Sequence, residues 1–491
     1  MKKNYLFLIL SSLFLFSCTN SSEIHPDVTD PYLPDNWQIR PFSKSSTNAQ
    51  KDYSVQDNWL AQLNNPQIHL LVNKALNNNQ QFSVQAYALD IAEQQLIISG
   101  SELWPTLDLS FKSGRNKSNE PVSYSNTNSV NINLSYEVDI WGKLSAADRQ
   151  SNYNYLAQKA SFEQNKQQLV VNVVSTWFNV IEADKLLTLY QNRVKNSRQN
   201  LAIIEAGYQS GLSAALDVYL SRNTLNTELT RVADQQVAKV KLIRQLERLT
   251  GEYPKGALLV NAKLPLLTND IPVGLPSELV SRKPELKASW YKLLAQDAGL
   301  AYAHKQRFPS LAISGSLGDS ASDMSNLLSG SSLGWSLLGN ISAPIFNAGR
   351  LAANEEKSRI QLKQAEQQYV DTLFNALNKV ENAITTEQGL KHSYQTMLEA
   401  QENAKTAATL SFEQYQSGLV SYTTVLDAQQ RSFDAQSTLI KIKNQLITNR
   451  INLHFYLGGD FTTKSIKAKS PEPMSPESMS PESMSRNNEA Q

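Results

Sequence analysis

The sequence predicts an α+β membrane protein built by tandem duplication, in which strands of membrane length alternate with very long coiled-coil helices. Three observations carry this. The pentapeptide Tyr-Gln-Ser-Gly-Leu occurs at residues 208–212 and again at 415–419, 207 residues on, and an internal repeat sets the architecture before any local reading. Each copy ends a helical stretch in which apolar residues recur every seven positions, the mark of coiled-coil packing. Ahead of each such helix, apolar and polar residues alternate with period two. The clearest run covers about nine residues, the length a tilted membrane strand needs.

Composition narrows the class. The chain has 491 residues, 41% apolar and 19% charged, enough for a sizeable core under a rather polar surface. A formal net charge of +1 gives no electrostatic case for nucleic acid. His25, His69, His304, His392 and His454 are scattered without ligand spacing, so no metal site is expected. No Walker-type glycine loop or catalytic constellation is present, and the chain reads as neither an enzyme nor a cofactor protein.

The N-terminus carries a targeting signal. Lys2 and Lys3 precede an apolar run over 5–16 that is too short to span a bilayer as a mature helix. The run closes on Leu15, Phe16, Ser17 and Cys18, which looks like a bacterial lipobox. It implies a signal peptide over 1–17 and a covalent lipid on Cys18, the only cysteine in the chain. Thr19 follows, rather than the Asp that resembles an inner-membrane retention signal. The expected location is the outer membrane. One acyl chain binds membrane only marginally, so a second membrane element is also expected.

The elements follow in order. Residues 18–67 are an irregular lipidated segment rich in Pro, Ser, Asn and Asp. The first repeat spans 68–251 and opens with a helix over 68–103 that Pro105 ends. Strands are expected at about 104–112 and 129–140, with a polar surface loop over 114–128 between them. On the second strand Val130, Ile132, Leu134, Tyr136 and Val138 form one apolar face. That face meets lipid in a barrel, or a core in a soluble hairpin; alternation alone fits both. A helix from about 145 to 206 then carries Val173, Val180, Leu187, Val194 and Leu201 at heptad spacing. The 208–212 turn and a return helix to Leu249 complete the unit. In each turn a glycine, Gly211 or Gly418, supplies the left-handed backbone that ends a helix.

Residues 252–276, with four prolines, are a linker between halves. The second repeat, 277–459, restates the first. Phe308-Pro309 answers Trp104-Pro105, strands fall at about 308–318 and 333–343, and a Ser/Gly/Asp loop lies between them. Leu362, Tyr369, Ala376, Ala383, Leu390, Met397 and Ala404 mark the second long helix. The tail, 460–491, repeats Pro-Glu-Ser-Met-Ser and has too little apolar content for a core; disorder is expected there.

Four strands cannot close a barrel, and open strand edges are not tolerated in hydrocarbon. Several chains must therefore pool strands; three would give twelve, an even number in the range of outer-membrane barrels.

The order and spacing of several short motifs resemble one family. They are Asp139-Ile140-Trp141-Gly142-Lys143, Pro276-Ser277-Glu278-Leu279, Arg282-Lys283-Pro284-Glu285-Leu286, Phe308-Pro309, Pro344-Ile345-Phe346-Asn347-Ala348-Gly349-Arg350 and the paired turns. The chain is similar to the TolC-type outer-membrane efflux channels, in the lipoprotein branch paired with resistance-nodulation-division pumps. The resemblance implies a homotrimer with a twelve-stranded barrel in the outer membrane and a periplasmic α-helical barrel. It also implies a periplasmic membrane-fusion adaptor and an inner-membrane pump as partners. The adaptor would dock on the hairpin tips at Gly207, Tyr208, Ser210, Gly211, Leu212, Ser417, Gly418 and Leu419. A gate is expected beside the turns, at Tyr415, Thr423, Asp427, Arg431 and Asp217. Carboxylates repeated around a trimer axis would form rings that favour cations. The alternative is that Asp217 and Asp427 are early-turn acids answering the helix dipole. Metal-ion efflux, type I protein secretion and a non-conducting coiled-coil envelope lipoprotein are the competing functions.

Overall fold

The computed structural model describes residues 33–34, 37, 58–63, 65–260, 262–265, 273, 276–330 and 332–461. The signal segment, Cys18 and the repeats of the tail lie outside the described residues.

The first half comprises α1 (Trp59–Gln62), α2 (Pro66–Asn78), α3 (Gln80–Ser101), β1 (Thr106–Asn119), β2 (Val122–Val138), α4 (Lys143–Gln209) and α5 (Ala215–Leu249). The second comprises α6 (Pro276–Arg282), α7 (Pro284–Lys305), β3 (Ser310–Ala321), β4 (Gly334–Ser342), α8 (Arg350–Gln416) and α9 (Tyr422–Tyr456). The long helices α4 and α8 have 67 residues each, and the return helices α5 and α9 have 35 each. At 1.5 Å per residue, 67 residues reach about 100 Å.

Two sequence expectations need correction. The helix over 68–103 is two helices. Asn79 leaves helical geometry and caps α3, its side chain accepting from the Phe82 amide at 2.8 Å. The same side chain donates to the Leu249 carbonyl at 2.9 Å, so a contact remote in sequence fixes the break. The polar loop over 114–128 is strand. β1 runs on to Asn119 and β2 starts at Val122, leaving only Glu120 and Pro121 between them. Backbone pairing needs no apolar side chains, and an exposed ladder of Ser and Asn carries no periodic signal.

The four strands form one antiparallel sheet in chain order. Residues directly opposite share a face, and the register aligns the apolar positions. Leu107, Leu109 and Phe111 stand opposite Leu134, Ile132 and Val130. Ile132, Tyr136 and Val138 stand opposite Leu317, Ile313 and Leu311. Leu311, Gly315 and Leu317 stand opposite Ile341, Leu337 and Trp335. One face is thus an apolar band across all four strands. The other carries Asp108, Ser110, Asn131, Asn133, Ser314 and Ser316. The outer ladder edges of β1 and β4 are unpaired among the described residues.

The main helical core clusters sit away from both strands and turns. Trp177, Phe178 and Ile181 of α4 pack with Ile68 and Val72 of α2, Leu246 of α5 and Ile451 of α9. A second cluster joins Leu279, Leu286, Leu373, Val380 and Leu453. Of the heptad positions, Val173, Val180, Leu187, Val194, Leu362, Tyr369, Ala376 and Ala383 are buried, whereas Leu201, Leu390, Met397 and Ala404, nearer the tips, are half-buried. Of the shorter helices, α3 packs on α4, whereas α7 packs on both α4 and α8.

Candidate functional site

The two hairpin tips lie together, and each is a Schellman turn. The Leu212 amide donates to the Gly207 carbonyl at 2.8 Å and the Gly211 amide to that of Tyr208 at 3.0 Å. In the second copy Leu419 donates to Gln414 and Gly418 to Tyr415, both at 2.9 Å. Gly211 and Gly418 have φ of +77° and +73°, which L side chains adopt at a cost. A Cβ on either would meet nothing within 4 Å, so within the chain the backbone angle, not crowding, calls for glycine. Gly207 differs: a Cβ there would collide with Ser213 Oγ. Tyr208, Ser210, Leu212, Ser417 and Leu419 are exposed around the tips.

Tyr415 joins the two hairpins. Its hydroxyl donates to Asp217 Oδ2 at 3.0 Å and lies 3.3 Å from Ser213 Oγ. Both partners belong to the first repeat. The Tyr415 ring lies 5.3 Å from that of Tyr422, which is buried with Val425 against Ile204 and Val218 of the first hairpin. Burial, then the Asp217 carboxylate opposed by Ser213, holds the Tyr415 hydroxyl above its ordinary pKa. Burial does the same to Tyr422. Asp217 is also a first-turn acid of α5, so the inter-hairpin bond and the dipole interaction coexist on one residue.

The structure does not bring Asp427 to this pair. Its carboxylate binds Arg431 Nε at 2.8 Å, one turn along α9, with both side chains largely in solvent. Thr423 is exposed, its hydroxyl 2.7 Å from that of Ser421. The five expected gate residues therefore divide. Tyr415 and Asp217 form a contact between hairpins, whereas Thr423, Asp427 and Arg431 line the exposed side of one helix.

A further polar node, for which the sequence gives no periodic signal, lies deeper between the hairpins. Arg193 of α4 and Glu228 of α5 are 2.8 Å apart with side chains 5% and 2% exposed. Arg193 also donates to Gln430 of α9 and stacks over Phe433, 4.3 Å from its centroid. Burial pushes the Glu228 carboxyl up and the Arg193 guanidinium down, and their mutual attraction opposes both shifts. A lone buried charge in a polar helical sequence looks like any surface charge; only packing of three helices makes it a node.

At the other end, Val130, Ile132, Leu134, Tyr136 and Val138 all lie in the apolar band. Below them, Trp141 donates to the Pro309 carbonyl at 2.7 Å and packs its ring 5.5 Å from Phe308. Among the described residues no group of His, Cys, Asp and Glu is arranged to hold a metal ion, and no helix is long and apolar enough to cross a membrane.

Comparison with known proteins agrees with this geometry. The sequence pattern of the outer membrane efflux protein family matches residues 71–252 and 275–459. The cation efflux system protein CusC of Escherichia coli K12 is 27% identical over 443 residues, 88% of this chain and 95% of its own length. The solvent efflux pump outer membrane protein SrpC of Pseudomonas putida is 26% identical, over 81% of this chain and 86% of its own. Among solved structures, the CmeC outer membrane channel of Campylobacter jejuni superposes with a TM-score of 0.79 at 23% identity, covering 88% and 96% of the two chains. The open state of the Neisseria gonorrhoeae MtrE channel gives 0.77 at 20% identity, covering 90% and 100%. The duplicated match covers most of the chain: it belongs to the outer membrane efflux protein family.

Proposed function

We infer that this chain is the outer-membrane duct of a tripartite efflux system, working as a homotrimer with a twelve-stranded barrel. One observation carries the reading: a four-stranded sheet with an apolar face, a polar face and two open edges. Such a sheet cannot sit alone in hydrocarbon. Three copies joined β4 to β1 leave no edge and place the polar face around water.

The duplication supports the same closure. Trp141 and Phe308, in contact within the chain, correspond to Phe346 and Trp104, which are 89% and 72% exposed. On α3, Val84 and Ile91 are exposed, the latter at 70%; their counterparts 204 residues on, Ala288 and Ala295, are buried in α7, the latter at 0%. At these positions the surface covered within the chain in one repeat is bare in the other. A neighbouring copy's first repeat fits it. This is the heterologous contact that closes into rings.

In this reading Cys18 carries the lipid, the helices extend through the periplasm, and the tips meet an adaptor that links to an inner-membrane pump. Tyr415 and Asp217 hold the entrance shut, and Asp427 with Arg431 lines the approach. The cargo is a small toxic molecule. Metal ions are a second reading, because several matched relatives are named cation efflux proteins. Loss of the gene should sensitise cells either to drugs and solvents or to metal salts, and the two panels separate the readings.

The assembly is tested with Trp104→Cys and Phe346→Cys combined. Oxidation should give covalent trimers, and neither single variant should. The same protein should conduct in planar bilayers. Monomers throughout, with no conductance, would favour a non-conducting envelope lipoprotein.

A further inference from the structure

We propose that Arg115, Lys117 and Tyr124 form a docking surface for the phosphate groups of an outer-leaflet glycolipid. The inference rests on the outer-membrane reading and adds a ligand and a site to it. β1 and β2 are 14 and 17 residues long, more than the 9–11 or so that hydrocarbon requires. The excess is the upper part of the hairpin, where Lys117 pairs with Tyr124 and Arg115 with Asn126. These residues share the face of Leu107, Leu109 and Phe111, so they stand directly above the apolar band on the lipid side. Arg115 is four residues past Phe111. That is about 14 Å along a strand, or roughly 10 Å of height at a tilt near 40°. The headgroup layer lies there, and Tyr is at home in it.

The charges are available. Arg115 Cζ lies 4.8 Å and Lys117 Nζ 5.9 Å from the Tyr124 ring centroid. The ring gathers two cations that form no ion pair with a carboxylate among the described residues. Asp319, on the same face at the Val130 rung, is buried and accepts from the Leu328 amide at 2.9 Å. Glu120, in the turn beyond β1, and Asp323, just past β3, make no ion pair with either cation among the described residues. A guanidinium and an ammonium side by side suit a phosphomonoester, which takes paired N–H donors from the one and a point charge from the other. The second hairpin has no such patch: positions 310–342 contain no Lys or Arg. The duplication kept the fold and placed the cations on one hairpin only.

The test uses the full-length assembled protein. Retention of lipid A bearing its phosphates is compared with that of dephosphorylated lipid A by native mass spectrometry. Arg115→Gln/Lys117→Gln is set against Lys112→Gln, which alters a cation on the opposite face. Wild type and Lys112→Gln should retain the phosphorylated lipid preferentially, and the double variant should lose roughly tenfold or more of that preference. Equal retention of both lipids by wild type, or an unchanged preference in the double variant, overturns the proposal. Planar-bilayer conductance separates the two levels. A conducting wild type without phosphate preference refutes the headgroup site alone, whereas a protein that never inserts refutes the membrane reading with it.

Discussion

Tyr415→Phe tests the gate at a single atom. The ring stays packed on Tyr422, 5.3 Å away, while the hydroxyl that donates to Asp217 at 3.0 Å and sits 3.3 Å from Ser213 is removed. A hydrogen bond to a charged acceptor contributes about 1.5–3 kcal/mol, and the partly solvated site argues for the lower end, about 1.5. Three copies acting together would then lose about 4.5 kcal/mol of bias toward the closed tips, a rise of roughly a thousandfold in the open-to-closed ratio. Tips that open one at a time would gain about tenfold each. Single-channel recording distinguishes the two by whether conductance rises in one step or three. Asp217→Ala should behave similarly, with a small added loss of dipole stabilisation. The double variant should open little further, because both changes remove one contact. An open probability in Tyr415→Phe equal to wild type would refute the assignment. So would full additivity with Asp217→Ala.

Arg193→Met strands the Glu228 carboxylate in a site with Arg231 as its remaining cation, 3.7 Å away. It should lower the temperature at which the assembly dissociates on gels, at a cost of about 3 kcal/mol per copy, with Arg193→Met/Glu228→Leu recovering most of the loss. His454 is buried against Trp59, and desolvation with the nearby Arg450 charge lowers its pKa to about 4. The unfolded imidazole, near 6.5, gains a proton as pH falls and the native one does not. Stability should therefore fall between pH 6.5 and 4 by up to about 3 kcal/mol, and unfolding of His454→Phe followed against pH should lack that component. Gly418→Trp places a bulky L residue at φ +73° on a tip read as an adaptor contact. It should abolish efflux while trimer formation and conductance persist; normal resistance in that strain would remove the adaptor role from this tip.

Much of the fold is local, and local patterns are written in the chain. Heptads fix which stripe of α4 and α8 is buried, because 3.6 residues per turn leaves little choice. Period-two alternation fixes which face of β2 is apolar, and a glycine after each long helix fixes a left-handed stop. The duplication shows in the sequence because both halves meet the same local demands. The strand extension over 114–128 and the break at Asn79 do not show. The first is held by ladder bonds indifferent to side-chain type, the second by a bond to Leu249 that lies 170 residues away.

The site divides on the same line. The sequence marks Tyr415, Asp217, Thr423, Asp427 and Arg431 as polar residues beside two turns, without saying which of them touch. Tertiary structure makes that choice by setting the rotation of each helix about its axis. That rotation turns Tyr415 toward the first hairpin and leaves Asp427 one helical turn from Arg431 in solvent. It also buries Arg193 and Glu228, whose neighbours in sequence give no hint of burial. Period and propensity are properties of one helix. The meeting of two polar side chains 198 residues apart depends on how two hairpins pack, and only the assembled core of Ile204, Val218, Tyr422 and Val425 decides it.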